Sequence, residues 1–468
     1  MKKQRIEQDS LGSVAVPAQA YYGVQTVRAL SNFPVSGEKN HPSLVRAYVL
    51  VKKACALTNR ELGVLDKKRA GAILRSCDDI LGGRYADQFV IDKYQAGAGT
   101  SLNMNVNEVI ANIALGYLGR HRGEYTWLSP NDHVNMSQST NDTFPSAAHV
   151  ALLTDIAKLI PALQQLESAL LNKARSFRTL LKSGRTHLQD AVPVTLGQEF
   201  HAYAETIRKT ISMLRGVSAP SRGPTLLEIP LGGTAAGTGI NTPRGYRRTA
   251  IRNLRRLTGL RLFASRDARE GLQSRLAMSH TSGLLSSLAI ELIRIANDLR
   301  LLSSGPVTGL AEINLPAVQP GSSIMPGKAN PVMAEALDMI CFRVAGNSLT
   351  VSMAGQAGQL ELNVMMPVMA NTLLESVELL RNFLPVFADK AVRGISANRE
   401  RMYSYFIHTP AIATVLNTRI GYLRAAEVVK QAVREKRPVI DVILEKGLLT
   451  RRQLREILSV HRITGTAR

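Results

Sequence analysis

Gly321-Ser322-Ser323-Ile324-Met325-Pro326-Gly327-Lys328-Ala329-Asn330-Pro331 is the stretch that constrains the fold of this 468-residue chain most tightly. Gly321, Pro326 and Gly327 keep it from being helix, and the Asn330-Pro331 pair is suited to open one. It therefore predicts a loop that carries two hydroxyls, an ammonium and an amide to the start of a helix. Glycines let the backbone approach a ligand closely and can hinge a lid, and the first N–H groups of the following helix offer partial positive charge to a carboxylate. Ordinary turns also use Gly, Ser and Pro, and Ser322 and Ser323 could be caps with solvated hydroxyls. An ordinary turn gives no reason for Ser, Lys and Asn to converge on one loop, so the stretch reads as an anion-holding segment.

Outward from this loop the pattern is helical. Leu285, Leu288, Leu292, Ile295, Leu299 and Leu302 alternate steps of three and four, one apolar stripe along one helix. Leu152, Ile156, Leu159, Leu163, Leu166 and Leu170 form a second, and Leu373, Val377, Leu380 and Leu384 a third. Residues 195 to 216 and 332 to 354 look helical too, which predicts long helices packed as a bundle. Before about residue 140, Pro17, Gly23, Pro34 and Pro42 mark turns with only short helical runs between them. After about residue 396 the chain is more basic, and Thr450 with Gln453 reads as a capping box. Three regions are expected: a mixed, mostly helical one over 1–140, a central bundle over 141–396, and a small helical one over 397–468.

Hydrophobic residues make up 45% of the chain and aromatics 5%, so the core must be aliphatic. Lys plus Arg number 58 against 36 acidic residues, a formal +22. That charge suits nucleic acid or the steering of an acidic substrate. It concentrates in Arg244 to Arg275 and in Arg424 to Arg468, which lack stacking aromatics apart from Tyr246 and Phe263, so a solvated basic surface is expected and nucleic acid is not. Cys55, Cys77 and Cys341 have no paired spacing, which predicts free thiols in a reducing compartment and no metal site. Met1-Lys2-Lys3-Gln4-Arg5 leads into no apolar segment, and Glu291, Arg294 and Asp298 interrupt the best spanning candidate. A cytoplasmic protein with no membrane partner is expected.

Three polar clusters sit at breaks in the helical pattern. They are Gly97-Ala98-Gly99-Thr100-Ser101 with Asn103, Asn105, Asn107 and Glu108; Ser137-Gln138-Ser139-Thr140-Asn141-Asp142; and Gly184-Arg185-Thr186-His187-Leu188-Gln189-Asp190. Taken singly, the first two read as helix caps, and a lone histidine such as His187 reads as a hydrogen-bonded structural group.

The eleven-residue loop closely resembles the signature loop of the fumarase/aspartase superfamily, whose members eliminate a group from the carbon beta to a carboxylate and release fumarate. The three clusters resemble, in order and spacing, that family's substrate-contacting regions. The likeness runs from Gln8-Asp9-Ser10-Leu11-Gly12 to Glu445-Lys446-Gly447-Leu448-Leu449-Thr450. Gly327, between Pro326 and Lys328, resembles the fumarase and aspartase branches rather than the argininosuccinate or adenylosuccinate lyases.

The resemblance implies a mainly α, fumarase/aspartase-like fold, with a central long-helix bundle flanked by smaller N- and C-terminal domains. It implies a small dicarboxylate substrate, no cofactor, no metal, and a homotetramer in which three subunits share each active site. Removing a proton next to a carboxylate gives an enediolate with doubled charge, so preorganised donors must meet that charge. The family's base is the first serine of the loop, here Ser322, as an alkoxide; the residues alone do not single it out from Ser323. Lys328 and Asn330 would meet the enediolate, and Thr186 a carboxylate. Thr100, Ser139, Thr140, Asn141 and neutral His187 would surround the leaving group, with Ser101 and Asn103 as further substrate-binding positions. Glu335 matches the acidic partner that orients the histidine, and it also suits the first turn of a helix.

Ser139-Thr140-Asn141, Gly99-Thr100-Ser101 and Gly358-Gln359-Leu360-Glu361-Leu362-Asn363-Val364-Met365 resemble the aspartase branch. Ser129, where fumarases commonly carry a histidine of a secondary anion site, leans the same way, and Leu102 departs from the small or polar residue usual there. The extra methyl at Thr140 cannot itself select ammonia over water. The expected enzyme is a carbon–nitrogen lyase converting L-aspartate to fumarate and ammonia, with reversible hydration of fumarate to malate as the alternative.

Overall fold

The computed structural model describes residues 3–219 and 223–463. Met1 and Lys2 of the basic N-terminal run, and Arg468 at the end of the C-terminal one, lie outside the described residues. The chain divides into two compact units: Met1–Ile160 with Ser212–Ala289 and Phe342–Leu380, and Pro161–Ile211 with Ile290–Cys341 and Arg381–Arg468.

The first unit begins with an antiparallel hairpin, Gln4–Asp9 paired with Gly12–Pro17. The helix Pro42–Glu61 starts with proline at its first turn and with the His41 ring accepting the Ser43 N–H. Asp66 caps Lys67–Leu81 by accepting from the Lys68 and Arg69 N–H groups. At 20, 15 and 18 residues, Pro42–Glu61, Lys67–Leu81 and Thr100–Tyr117 overturn the expectation of short helical runs before residue 140. Pro17 ends a strand, Pro34 lies in a loop and Pro42 starts a helix, so none falls inside a helix to shorten it.

The second unit contains the hairpin Leu181–Thr186 with Gln189–Thr195, which shifts register at Ser183/Gly184, and the helix Leu196–Gly216. Its C-terminal part has its own apolar cluster, including Phe406, Leu416, Val428, Val442, Ile443 and Leu454. The capping box of Thr450 and Gln453 forms as the sequence predicts.

All three apolar stripes are buried: Leu152 to Leu170 on Thr140–Ser176, Leu285 to Leu302 on Leu276–Leu302, and Leu373 to Leu384 on Met366–Lys390. Each fully buried leucine contributes roughly 1.5–3 kcal/mol of transfer free energy. Two helices, Thr140–Ser176 and Leu276–Leu302, are long and apolar enough to cross a membrane by length and composition, though charged residues fall within both. The first fifteen residues of the second, 276–290, carry no Asp, Glu, Lys or Arg; Glu291, Arg294 and Asp298 follow them and pair with one another at 2.9 and 3.5 Å. Buried residues make up 72% of the apolar window of the first helix, as in a core helix.

Met339, Phe342, Leu349 and Met353 follow one another by three, seven and four on Val332–Gln356, and each is more than half exposed. One face of this 25-residue helix therefore stands uncovered.

Candidate active site

In the first unit the clusters at Thr100 and Ser139 meet. Thr100–Tyr117 begins after Gly99 in the left-handed region, φ +84°, and no side chain caps it. A Cβ at Gly99 would fall on the Phe144 ring, so both conformation and space demand glycine there. Thr100 is the first helical residue and is exposed, its hydroxyl lying 3.5 Å from the Gly97 carbonyl, while Ser101 and Asn103 are buried. Asn103 Nδ2 donates to Thr140 Oγ1 at 3.0 Å, which ties the two clusters together. Ser139 does cap its helix: its hydroxyl accepts the Asn141 N–H, and Asp142 reaches back to the Ser139 N–H. Asn141 Nδ2 donates to the Ala235 carbonyl at 2.8 Å.

Beneath these residues lies a network that sequence reasoning missed. Asp142 Oδ2 accepts the N–H groups of Gly232 and Thr234 at 2.8 and 3.0 Å. Lys52, fully buried, donates at 2.9 Å to Asn135 Oδ1 and to Gln138 Oε1. Asn135 Oδ1 also accepts from Asn103 and Asn107. A signal was present, because Val45, Tyr48, Lys52, Cys55 and Asn59 share one buried helix face, and a lysine in that series calls for partners. Burial lowers Lys52 to about 7 and raises Asp142 to about 6, the latter opposed by its N–H donors.

The Lys52 shift has a defined sign. Between about 7 and the ordinary 10.5 the unfolded chain holds a lysine proton that the folded chain has lost, so stability rises with pH across that window. Urea unfolding from pH 7 to 8.5, below the ordinary thiol value of 9.0 for Cys55 and Cys77, is expected to show this rise in the wild type and a flatter profile in Lys52→Met. Parallel profiles for the two proteins would refute it.

In the second unit Thr186 and His187 end the hairpin. His187 and Leu188 form its two-residue turn, with φ +57° and +59°. Positive φ at both central residues is the turn that matches strand twist, normally met by Asn-Gly, and here it is imposed on two bulky side chains. Such backbone strain, about 1–3 kcal/mol per residue, collects at functional sites. Both residues are exposed, as is Thr186. Lys182 on the same hairpin is buried between Glu199 at 2.9 Å and Glu312 at 2.5 Å, and Arg185 reaches Glu312 at 2.9 Å. These ion pairs fix the hairpin that carries the turn.

The signature loop folds on itself. The Gly321 N–H donates to the Lys328 carbonyl at 3.0 Å, and Asn330 Nδ2 to the Gly321 carbonyl at 2.6 Å. Inside this closure Ser322 Oγ accepts the N–H groups of Ile324 and Met325 at 3.2 and 3.0 Å. Ser323 is exposed and has no hydrogen bond among the described residues. Lys328 is exposed, and Ile324 and Met325 stand open to solvent at the loop tip. Glu335 lies in the first turn of Val332–Gln356, as its helix-dipole reading requires, and no hydrogen bond joins it to His187 within the chain. Among the described residues no three His, Cys, Asp or Glu side chains converge as a metal site would need.

A Cβ at Gly321 would collide with the Lys328 carbonyl oxygen and sit 2.7 Å from the Asn330 nitrogen. Gly321→Ala is therefore expected to open the loop closure and lower kcat by ~10²-fold through misplacement of Ser322. The urea midpoint should stay near wild type, since the loop buries little; unchanged kcat would show that closure is irrelevant.

A mainly helical chain in which a closed glycine-serine loop precedes a long helix, with polar clusters at helix starts and at a strained hairpin turn, is the arrangement expected of a lyase of the fumarate-forming class. The family model described as "Lyase" matches residues 12–346, and one described as "Fumarase C C-terminus" matches 412–465. The chain belongs to this lyase family, the fumarase/aspartase superfamily. An aspartate ammonia-lyase of Escherichia coli strain K12 is 46% identical over 466 residues, covering 99% of this chain and 96% of the relative. Another, from Bacillus subtilis strain 168, is 44% identical over 463 residues, covering 99% and 96%. The solved structure of a Brucella melitensis fumarate lyase:delta crystallin bound to cobalt superposes with a TM-score of 0.94 at 47% identity, covering 98% of this chain and 99% of that one. A class II fumarase from Schistosoma mansoni gives 0.93 at 36% identity, covering 98% of each.

Proposed function

We propose that the chain is an aspartate ammonia-lyase in which Ser322 is the base. The observation that carries this reading is the pair of N–H groups held on Ser322 Oγ by a loop closed through Gly321 and Asn330. Donors fixed on an oxygen favour its anionic form, and Lys328 on the same loop adds positive charge. Ser322 takes the proton from the beta carbon, and the electrons move into the neighbouring carboxylate as an enediolate. Lys328, Asn330 and Thr186 balance that charge. The Cα–N bond then breaks with its electron pair on nitrogen, which leaves as ammonia, and the carbon–carbon double bond of fumarate forms. Thr100, Ser139, Thr140, Asn141 and His187 surround the leaving nitrogen, Ser101 and Asn103 support them, and Glu335 orients His187. Full-length relatives described as aspartate ammonia-lyases favour aspartate over malate.

The uncovered face through Met339, Phe342, Leu349 and Met353 supports a homotetramer in which long helices associate and three subunits contribute to each site. The separate apolar cluster after residue 397 supports a distinct C-terminal folding region, beside the regions 1–140 and 141–396. Three free cysteines fit a reducing, cytoplasmic compartment.

Purified protein mixed with L-aspartate is expected to produce fumarate, followed by ultraviolet absorbance, with L-malate giving little. Turnover of malate with none of aspartate would move the assignment to fumarate hydratase.

A further inference from the structure

From Pro230 to Arg266 the chain carries eight arginines, no lysine, no aspartate and no glutamate. None of these arginines belongs to the proposed elimination site. Arg244, Arg247, Arg248, Arg252 and Arg255 line one open groove of about 840 Å³ beside Tyr246–Thr258, a volume within the range of small-ligand sites. Tyr246, Ala250, Ile251 and Leu254 on this helix are buried, Tyr246 and Ile251 among the groove lining, so the arginines are carried by a packed helix.

Charge balance in the groove is incomplete. Arg252 pairs with Glu61, whereas Arg244, Arg248 and Arg255 have no carboxylate partner among the described residues. Arg247 is half-buried at the groove wall; one of its nitrogens donates to the Ser265 carbonyl at 2.5 Å, and its Nε is buried without a partner. Like charges three and four apart on a helix repel, and an unpaired buried donor costs more still. An anion in the groove would relieve both.

The backbone adds a second and independent feature. Tyr246–Thr258 starts after Gly245 at φ +83° with no side-chain cap, and this uncapped end opens on the groove beside Gly237 and Gly239. The Tyr246 N–H donates to the Pro243 carbonyl at 3.1 Å, and those of Arg247 and Arg248 behind it are the backbone donors a helix start next to a glycine-rich turn offers to phosphate oxygens. Arginine in place of lysine throughout suits the bidentate geometry of phosphate. Phe263 is the one aromatic ring that is not fully buried in the lining, too little to stack successive bases.

We infer that this groove binds a small polyphosphate: a chain of two or more phosphates, free or carried by a nucleotide, with its terminal groups at the Tyr246 helix start and its length along Arg248, Arg252 and Arg255. The inference does not depend on which substrate the lyase site takes.

Titration calorimetry of the full chain at 150 mM salt, about physiological ionic strength, tests it with sodium tripolyphosphate, ATP and a 20-base-pair DNA duplex as probes. Tripolyphosphate is expected to bind, and the pair Arg248→Gln with Arg255→Gln to weaken it about 100-fold, roughly tenfold for each charge-assisted hydrogen bond removed. Both residues are exposed, so the fold is retained. The charge-matched pair Arg424→Gln with Arg451→Gln, exposed in the other compact unit, should change affinity less than twofold. Equal affinity for ATP and tripolyphosphate identifies free phosphate chains as sufficient; a preference for ATP identifies the nucleotide as the source. Equal loss in both variant pairs would reduce the effect to net charge and overturn the inference. It would also fall if tripolyphosphate failed to bind, or if the duplex bound more tightly and its binding disappeared in the groove variant.

Discussion

Replacing Ser322 with alanine is expected to lower kcat for fumarate formation by ~10³-fold or more, with KM for aspartate changed far less. The proton next to a carboxylate is weakly acidic, so the step needs a positioned base, and no other hydroxyl of the loop is provided for as this one is. Ser322 Oγ receives two backbone N–H groups, while Ser323 is exposed with no hydrogen bond among the described residues. Ser323→Ala should accordingly cost less than about tenfold, within what removing one peripheral hydroxyl explains. Far-ultraviolet circular dichroism should be unchanged in both variants, since neither side chain is in the core. If Ser323→Ala carried the larger loss, or Ser322→Ala kept wild-type turnover, the assigned base would be wrong.

The second large effect is on stability. Lys182→Met is expected to destabilise the protein by about 3–5 kcal/mol, the usual cost of removing one partner from a buried ionic cluster. Lys182 and Glu312 have almost no solvent contact, at 1% and 0% of the side chain exposed, and Glu199 faces the same ammonium. Without Lys182 the two carboxylates confront each other with only Arg185 to offset them. Denaturant unfolding at constant slope would report the change as a lower midpoint. Adding Glu312→Leu should recover much of the loss, because the uncompensated charge is what costs the energy. A change below about 1 kcal/mol in the single variant would mean that the cluster is hydrated in solution. Since this cluster anchors the hairpin with Thr186 and His187 at its end, kcat in the single variant should fall as well.

Much of the architecture was legible because helical periodicity is local. Leu285 to Leu302 and the two companion stripes announce buried faces from their spacing alone, and they are buried. Gly321, Pro326 and Gly327 exclude helix through their own backbone chemistry, and the loop stands where they put it. The polar clusters were legible as clusters. Their form was less so: the stretch around His187 is a hairpin turn with two strained residues, and nothing in Gly184 to Asp190 marks a two-residue turn of that type, because His-Leu is not its usual chemistry.

The amino-acid sequence by itself determined the long helices after residue 140, the buried stripes, the position of the anion-holding loop and the residue types gathered at each break. Tertiary structure alone decided which hydroxyl of the loop is surrounded by donors, and which distant groups support the polar clusters. Asp142 meets Gly232 and Thr234, and Lys182 meets Glu312, across separations of ninety residues and more. Periodicity carries no information at that range. Electrostatic partners are chosen by burial, which forces each charge to find a counter-charge or a donor wherever the packed chain brings one within about 3 Å.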